Sequence, residues 1–194
     1  MALAANLEAR TGRVLNALCR LLALGGGLVL VAAALVTVAS VIGRFFLFAG
    51  LGPVRGDFEL VEVSCAIAIF AFLPWCQLNR GHVTVDVLVD RMPARMKAAF
   101  GLLGDLAIAI VSGLILWRLY LGFGEKFPYG SDGIRDVLGM GSKPYFAETT
   151  YELELPVWIP FGLSTIGAAL FFVVSLYTVW RALNWVLAGR EAAL

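Results

Sequence analysis

The sequence predicts an all-α membrane protein: four transmembrane helices in a single domain over residues 1–194, with an interfacial amphipathic segment between the second and third. Three observations carry that prediction. Only 15% of the residues are charged and the mean hydropathy is +0.87, whereas soluble domains carry about a quarter charged residues. Four long stretches nearly free of charge recur along the chain, each approaching the roughly 20 apolar residues that cross a hydrocarbon core of about 30 Å. Strands of alternating polarity, which a membrane barrel requires, are absent. The lipid bilayer is therefore the first partner.

The first span, about 18–43, rests on Leu21 to Ile42, 22 residues without a charge. Arg10, Arg13 and Arg20 precede it as they would a signal peptide. An apolar core of that length exceeds the roughly 7–15 residues of a cleavable signal, so a retained helix is expected. The second span, about 58–79, contains the uncharged Val63 to Asn79 and begins with Glu59 and Glu62. The third, about 97–122, is interrupted by Asp105 alone between Ala98 and Trp117. The fourth, about 155–183, runs uncharged from Leu155 to Trp180, with Pro156, Trp158 and Pro160 at its outer start, where proline is tolerated.

Lysine and arginine placement sets the orientation. Nine lie on the side of the termini and of the second connection: Arg10, Arg13, Arg20, Arg80, Arg91, Arg95, Lys97, Arg181 and Arg190. Five lie in the first and third connections: Arg44, Arg55, Lys126, Arg135 and Lys143. Both termini are expected in the cytoplasm. The formal net charge of +1 and the lack of a basic run speak against nucleic acid.

The connections differ in character. Between the second and third spans, Val83, Val85, Val87, Leu88, Val89 and Met92 alternate with Asp86, Asp90 and Arg91. That pattern suits an amphipathic brace at the cytoplasmic interface, closed by Pro93. The third connection, 123–154, holds 32 residues with six acids and three bases. Its glycines, Pro128 and Pro144 predict irregular structure, and Tyr145, Phe146, Tyr151 and Trp158 suit an interfacial aromatic belt. Long loops of this kind are often functional, so a docking role is considered.

Charges inside spans are functional candidates. Glu59 and Glu62 lie one turn apart at the outer end of the second span, with Arg44 and Arg118 expected at the same depth. Two acids and two bases at one level can neutralise one another, and an Arg44–Glu59 pair is the specific expectation. Asp105 falls on a stripe of small residues, Gly101, Ala109 and Gly113, which reads as a close-packing face within the bundle or toward another subunit. On this stripe it faces protein, where a hydrogen bond to a neighbouring helix suits it.

His82 is the one histidine. A zinc site assembled from it with Asp86 and Asp90 lacks a second His or a Cys, and no nucleophile motif accompanies it. It reads instead as a cytoplasmic corner, with Gly81 permitting the turn and His82 and Asp86 bonding neighbouring groups. Cys65 and Cys76 are about 16 Å apart by helical rise, too far for a disulfide. With Cys19 they act as small hydrophobes. Nothing in the sequence asks for a cofactor or marks an enzyme.

Taken in order, Arg44-Phe45-Phe46, Glu59-Leu60, Gly81-His82-Val83, Val85-Asp86-Val87-Leu88 and Leu155-Pro156-Val157-Trp158 form a set. On that set, and on the number of spans, the chain resembles the small permease subunit of tripartite ATP-independent periplasmic (TRAP) transporters, the DctQ-type family. The third connection looks longer than is usual there. The resemblance implies a bacterial inner-membrane scaffold with no transport site of its own. It would bind a large permease subunit that moves an organic anion, such as a carboxylate, with sodium, after a periplasmic binding protein has captured it. The competing reading is a self-sufficient four-helix drug/proton antiporter acting as a dimer. That reading needs a carboxylate near the membrane midplane, for which Glu62 and Asp105 are the available groups.

Overall fold

A computed structural model describes residues 5–82 and 93–188, and the proposed brace Val83 to Met92, with Asp86, lies outside them. Four long helices dominate: α1 (Ala5–Phe45), α2 (Asp57–Leu78), α3 (Ala94–Lys126) and α5 (Trp158–Ala188). A short helix, α4 (Asp132–Leu138), sits in the third connection. All four long helices have the length and composition to cross a membrane, and no strand is found among the described residues beyond the isolated bridge Thr149–Pro156.

The helices outlast the apolar stretches that mark them. α1 has 41 residues, about 61 Å at 1.5 Å per residue, twice the bilayer core. Its first turns were expected outside the span. They are helical because Ala-, Leu- and Arg-rich sequence favours helix, and because they pack. Leu15 and Cys19 join Leu78, Val174 and Tyr177 in a buried cluster at the end that carries the chain termini. There the Asn184 amide donates to Glu8 at 2.6 Å. At the opposite, loop end, α1 closes on Arg44, a cation well placed beside a helix C-terminus.

α1 packs along α2, α2 along α5, and α5 along α3, while the backbones of α2 and α3 stay apart. The result is an open, layered array. Two glycines permit its close approaches. A Cβ on Gly26 would lie 2.7 Å from the Ala71 methyl of α2, and one on Gly167 would lie 2.5 Å from the Phe70 carbonyl oxygen. Between 11% and 33% of each apolar stretch is buried within the chain. Lipid or another protein must cover the rest.

Beyond the end of α3, the third connection is irregular as expected except for α4, yet it is tightly held. Arg135, 1% exposed, donates to six main-chain carbonyls. Those of Gly124 and Phe127 are at 2.7 Å, Gly141 at 3.0 Å, Ser142 at 3.1 Å, Tyr129 at 3.2 Å and Met140 at 3.3 Å. A planar guanidinium carries five N–H donors in a fixed fork. One side chain thus gathers the end of α3, the turn after it and the segment beyond α4 into one unit. Gly139, at φ 63, ends α4.

Candidate functional site

Ionisable and amide groups gather in two layers, one at each end of the helices. At the terminal end the centre is Gln77, 1% exposed. Its amide nitrogen donates to Thr178 Oγ1 on α5 at 2.8 Å and to Asp105 Oδ1 on α3 at 3.1 Å. Its carbonyl oxygen meets His82 Nε2 at 2.8 Å. Arg80 pairs with the other Asp105 oxygen at 3.1 Å, and Arg181 donates to the Leu78 carbonyl at 3.1 Å. Both guanidinium groups lie against the Trp185 ring, at 4.7 and 5.1 Å from its centroid. Gln77 therefore ties three helices together, and Asp105 supplies a carboxylate to this layer.

The corner itself is built differently from expectation. Arg80, not Gly81, takes the left-handed conformation, at φ 52. The Gly81 N–H donates to the Cys76 carbonyl at 2.8 Å and so closes the last turn of α2. A Cβ on Gly81 would make ordinary contact at 3.7 Å. The strained position falls to Arg80 because its side chain is held by Asp105 and Trp185.

At the loop end, Arg44 pairs with Asp57 at 2.6 Å and not with Glu59. Ser40 donates to the same Asp57 oxygen at 2.5 Å, and the Val54 N–H donates to Ser40 Oγ at 3.2 Å, fastening the first connection. Glu59 is occupied elsewhere, accepting the Glu152 and Leu153 N–H groups at 2.8 and 3.2 Å. Glu152 in turn accepts the Gly56 N–H at 2.5 Å. The two carboxylates thus lock the third connection onto the start of α2 reciprocally. Neutralisation here is largely by main-chain dipoles, so the expected four-charge cluster does not form. Glu62 and Arg118 are exposed, and neither makes an ion pair with another described residue.

The small-residue stripe is used within the chain. Asp105 and Ala109 are buried, a Cβ on Gly113 would lie 3.1 Å from the Phe172 ring of α5, and Gly101 lies under the Arg80 guanidinium. Trp158 rests edge-on against Phe127, with ring centroids 5.4 Å apart, and Pro156 forms the bridge to Thr149. Tyr145, Phe146 and Tyr151 stand out from the loop end, 97%, 81% and 95% exposed.

The bonded residues that sequence reasoning passed over are Asp57, Gln77, Arg80, Arg135 and Thr178. Asp57 had a visible signal: an acid directly after a glycine at a helix start is a natural partner for a basic residue closing the previous helix. Gln77 and Thr178 had none, since a lone polar side chain near a span end is common.

Chemically, the two layers bind helices to one another and to the loop. Among the described residues, no three His, Cys, Asp or Glu side chains come together as metal ligands. Ser112 and Ser175, deeper along α3 and α5, bond each other at 2.7 Å. No curated protein and no solved structure matches the chain. The sequence model of one family, described as "Tripartite ATP-independent periplasmic transporters, DctQ component", matches residues 33–184, from within α1 to within α5. The chain, a multi-pass membrane protein by its four long apolar helices, therefore belongs to the DctQ component family of TRAP transporters.

Proposed function

We propose that this chain is the small scaffold subunit of a sodium-driven, binding-protein-dependent importer of an organic anion, such as a carboxylate, in a bacterial inner membrane. Its partners are the large permease subunit and a periplasmic binding protein. Both termini face the cytoplasm and the α4 end faces outward, in keeping with the nine-to-five division of basic residues. One observation carries the scaffold reading above all: at least two thirds of every apolar helical stretch is left unburied by the chain itself. A self-contained carrier closes its helices around a pathway. Here they form an open array whose charges collect at the two ends, and the broad apolar faces suit a larger membrane partner. The outer loop, drawn together by Arg135 and presenting Tyr145, Phe146 and Tyr151, is the surface on which the binding protein would rest.

The test is reconstitution. The chain alone in proteoliposomes should show no sodium-driven uptake and no proton-coupled flux. Joined by its large subunit and a loaded binding protein, it should support uptake, and leaving this chain out should abolish uptake. Ion-coupled flux by the isolated chain would overturn the scaffold reading in favour of the dimeric antiporter.

A further inference from the structure

A cleft of about 460 Å³ lies between α2, α3 and α5 in their loop-end half, the backbones of α2 and α3 staying apart. Its walls are mostly apolar, with Val63, Ala66 and Phe70 on α2, Leu119 on α3 and Phe161 on α5, and Ser164 of α5 is polar. Polar groups gather at its outer mouth, where Glu59, Glu62 and Thr150 meet. Glu59 is satisfied by the main chain of 152–153. Glu62 is exposed, with no ion-pair partner among the described residues. It lies five residues into a 22-residue helix, hence about 7.5 Å inside the end of a span roughly as long as the bilayer core is thick. A carboxylate at that depth is costly without a cation.

The lining points to the kind of occupant. The cleft follows α2 from Glu59 to Phe70, about 16 Å by helical rise. An alkyl chain suits its apolar length, and the carboxylate at its mouth asks for a cation at the head of that chain.

We propose that this cleft holds one acyl chain of an aminophospholipid, whose primary ammonium group rests on Glu62. A primary ammonium brings three hydrogen-bond donors to a carboxylate, which a quaternary choline headgroup cannot do, and an anionic glycerol headgroup would be repelled. The bound lipid completes the surface between α2 and α3 and neutralises a carboxylate held within the span.

The full-length chain in mild detergent is exchanged with phosphatidylethanolamine, phosphatidylcholine or phosphatidylglycerol of identical acyl chains, and retained lipid is read by native mass spectrometry. The ethanolamine lipid should be retained about three- to fivefold better than the choline lipid, as expected for a partly exposed ion pair. Glu62→Gln should erase that preference without lowering Tm. Ala66→Phe or Leu119→Trp, filling the slot from opposite walls, should reduce retention of all three lipids. Equal retention by the unaltered chain, an intact preference in Glu62→Gln, or indifference to both filling substitutions would overturn the proposal. So would loss of co-purification with the large subunit in Glu62→Gln alongside an unchanged lipid preference, since Glu62 would then serve a protein cation.

Discussion

At the loop end, the half-exposed Arg44 guanidinium and the nearly buried Asp57 carboxylate belong to one hydrogen-bonded network with Ser40 and the Val54 N–H. Glu59, two residues on, belongs to another, shared with residues 152 and 153. The two networks make separable demands. Arg44→Ala and Asp57→Ala should each lower the Tm of the purified chain, with a combined loss smaller than the sum, because they remove the same interaction. Arg44→Ala with Glu59→Ala should be additive. Additive behaviour in the first pair, or strong coupling in the second, would reassign the partners. The depth of these charges was legible in the sequence, since helical rise places Arg44, Glu59 and Glu62 near one level. Their partners were not. Pairing depends on how two connections fold back over the helix ends, and main-chain N–H groups, which no sequence pattern advertises, compete for carboxylates on equal terms.

The elements show a similar division. Hydropathy located four spans but not where their helices stop, because helix propensity and packing carry α1 and α3 past the apolar stretches. The third connection read as loop because its glycines and prolines are visible and the six acceptors of Arg135 are not. Removing that side chain should free the segment without unfolding the helices. Arg135→Lys, which keeps the charge and loses the fork, and Arg135→Met should both make residues 127–142 cleavable by a protease in detergent. Helical circular dichroism should stay close to that of the unaltered chain. Resistance to cleavage in both variants would show that the loop is held by something else. Between α2 and α5 the limiting feature is Gly167. Alanine in place of a helical glycine ordinarily stabilises by about 1 kcal/mol. Gly167→Ala should do the reverse, lowering Tm, because its methyl meets the Phe70 carbonyl. Gly104→Ala, with open space around it, should be neutral or stabilising. Thermal unfolding of the two variants side by side decides whether the α2–α5 approach is as close as described.

For the whole molecule, orientation can be read chemically. With Gly133→Cys, a membrane-impermeant thiol reagent added to intact cells should label the α4 end. With Leu7→Cys, labelling should require a permeant reagent. Labelling of position 7 from outside would invert the topology. Which helices neighbour which was beyond the sequence, because a stripe of small residues looks alike whether it packs inward or toward another subunit. Here Gly101, Asp105, Ala109 and Gly113 all turn out to be used internally. α1 carries a further consequence. It is one unbroken rod gripped at several places, among them Leu15 and Cys19 at the terminal end and Gly26 against Ala71 farther along. One residue inserted between Cys19 and Gly26 would turn one grip against the other by about 100°. Seven would restore the phase to within about 20° while driving the grips about 10 Å apart. The Arg20–Gly25 stretch, mostly leucine, alanine and glycine, therefore acts as a ruler with an angular scale, tolerant of changed letters and intolerant of changed length.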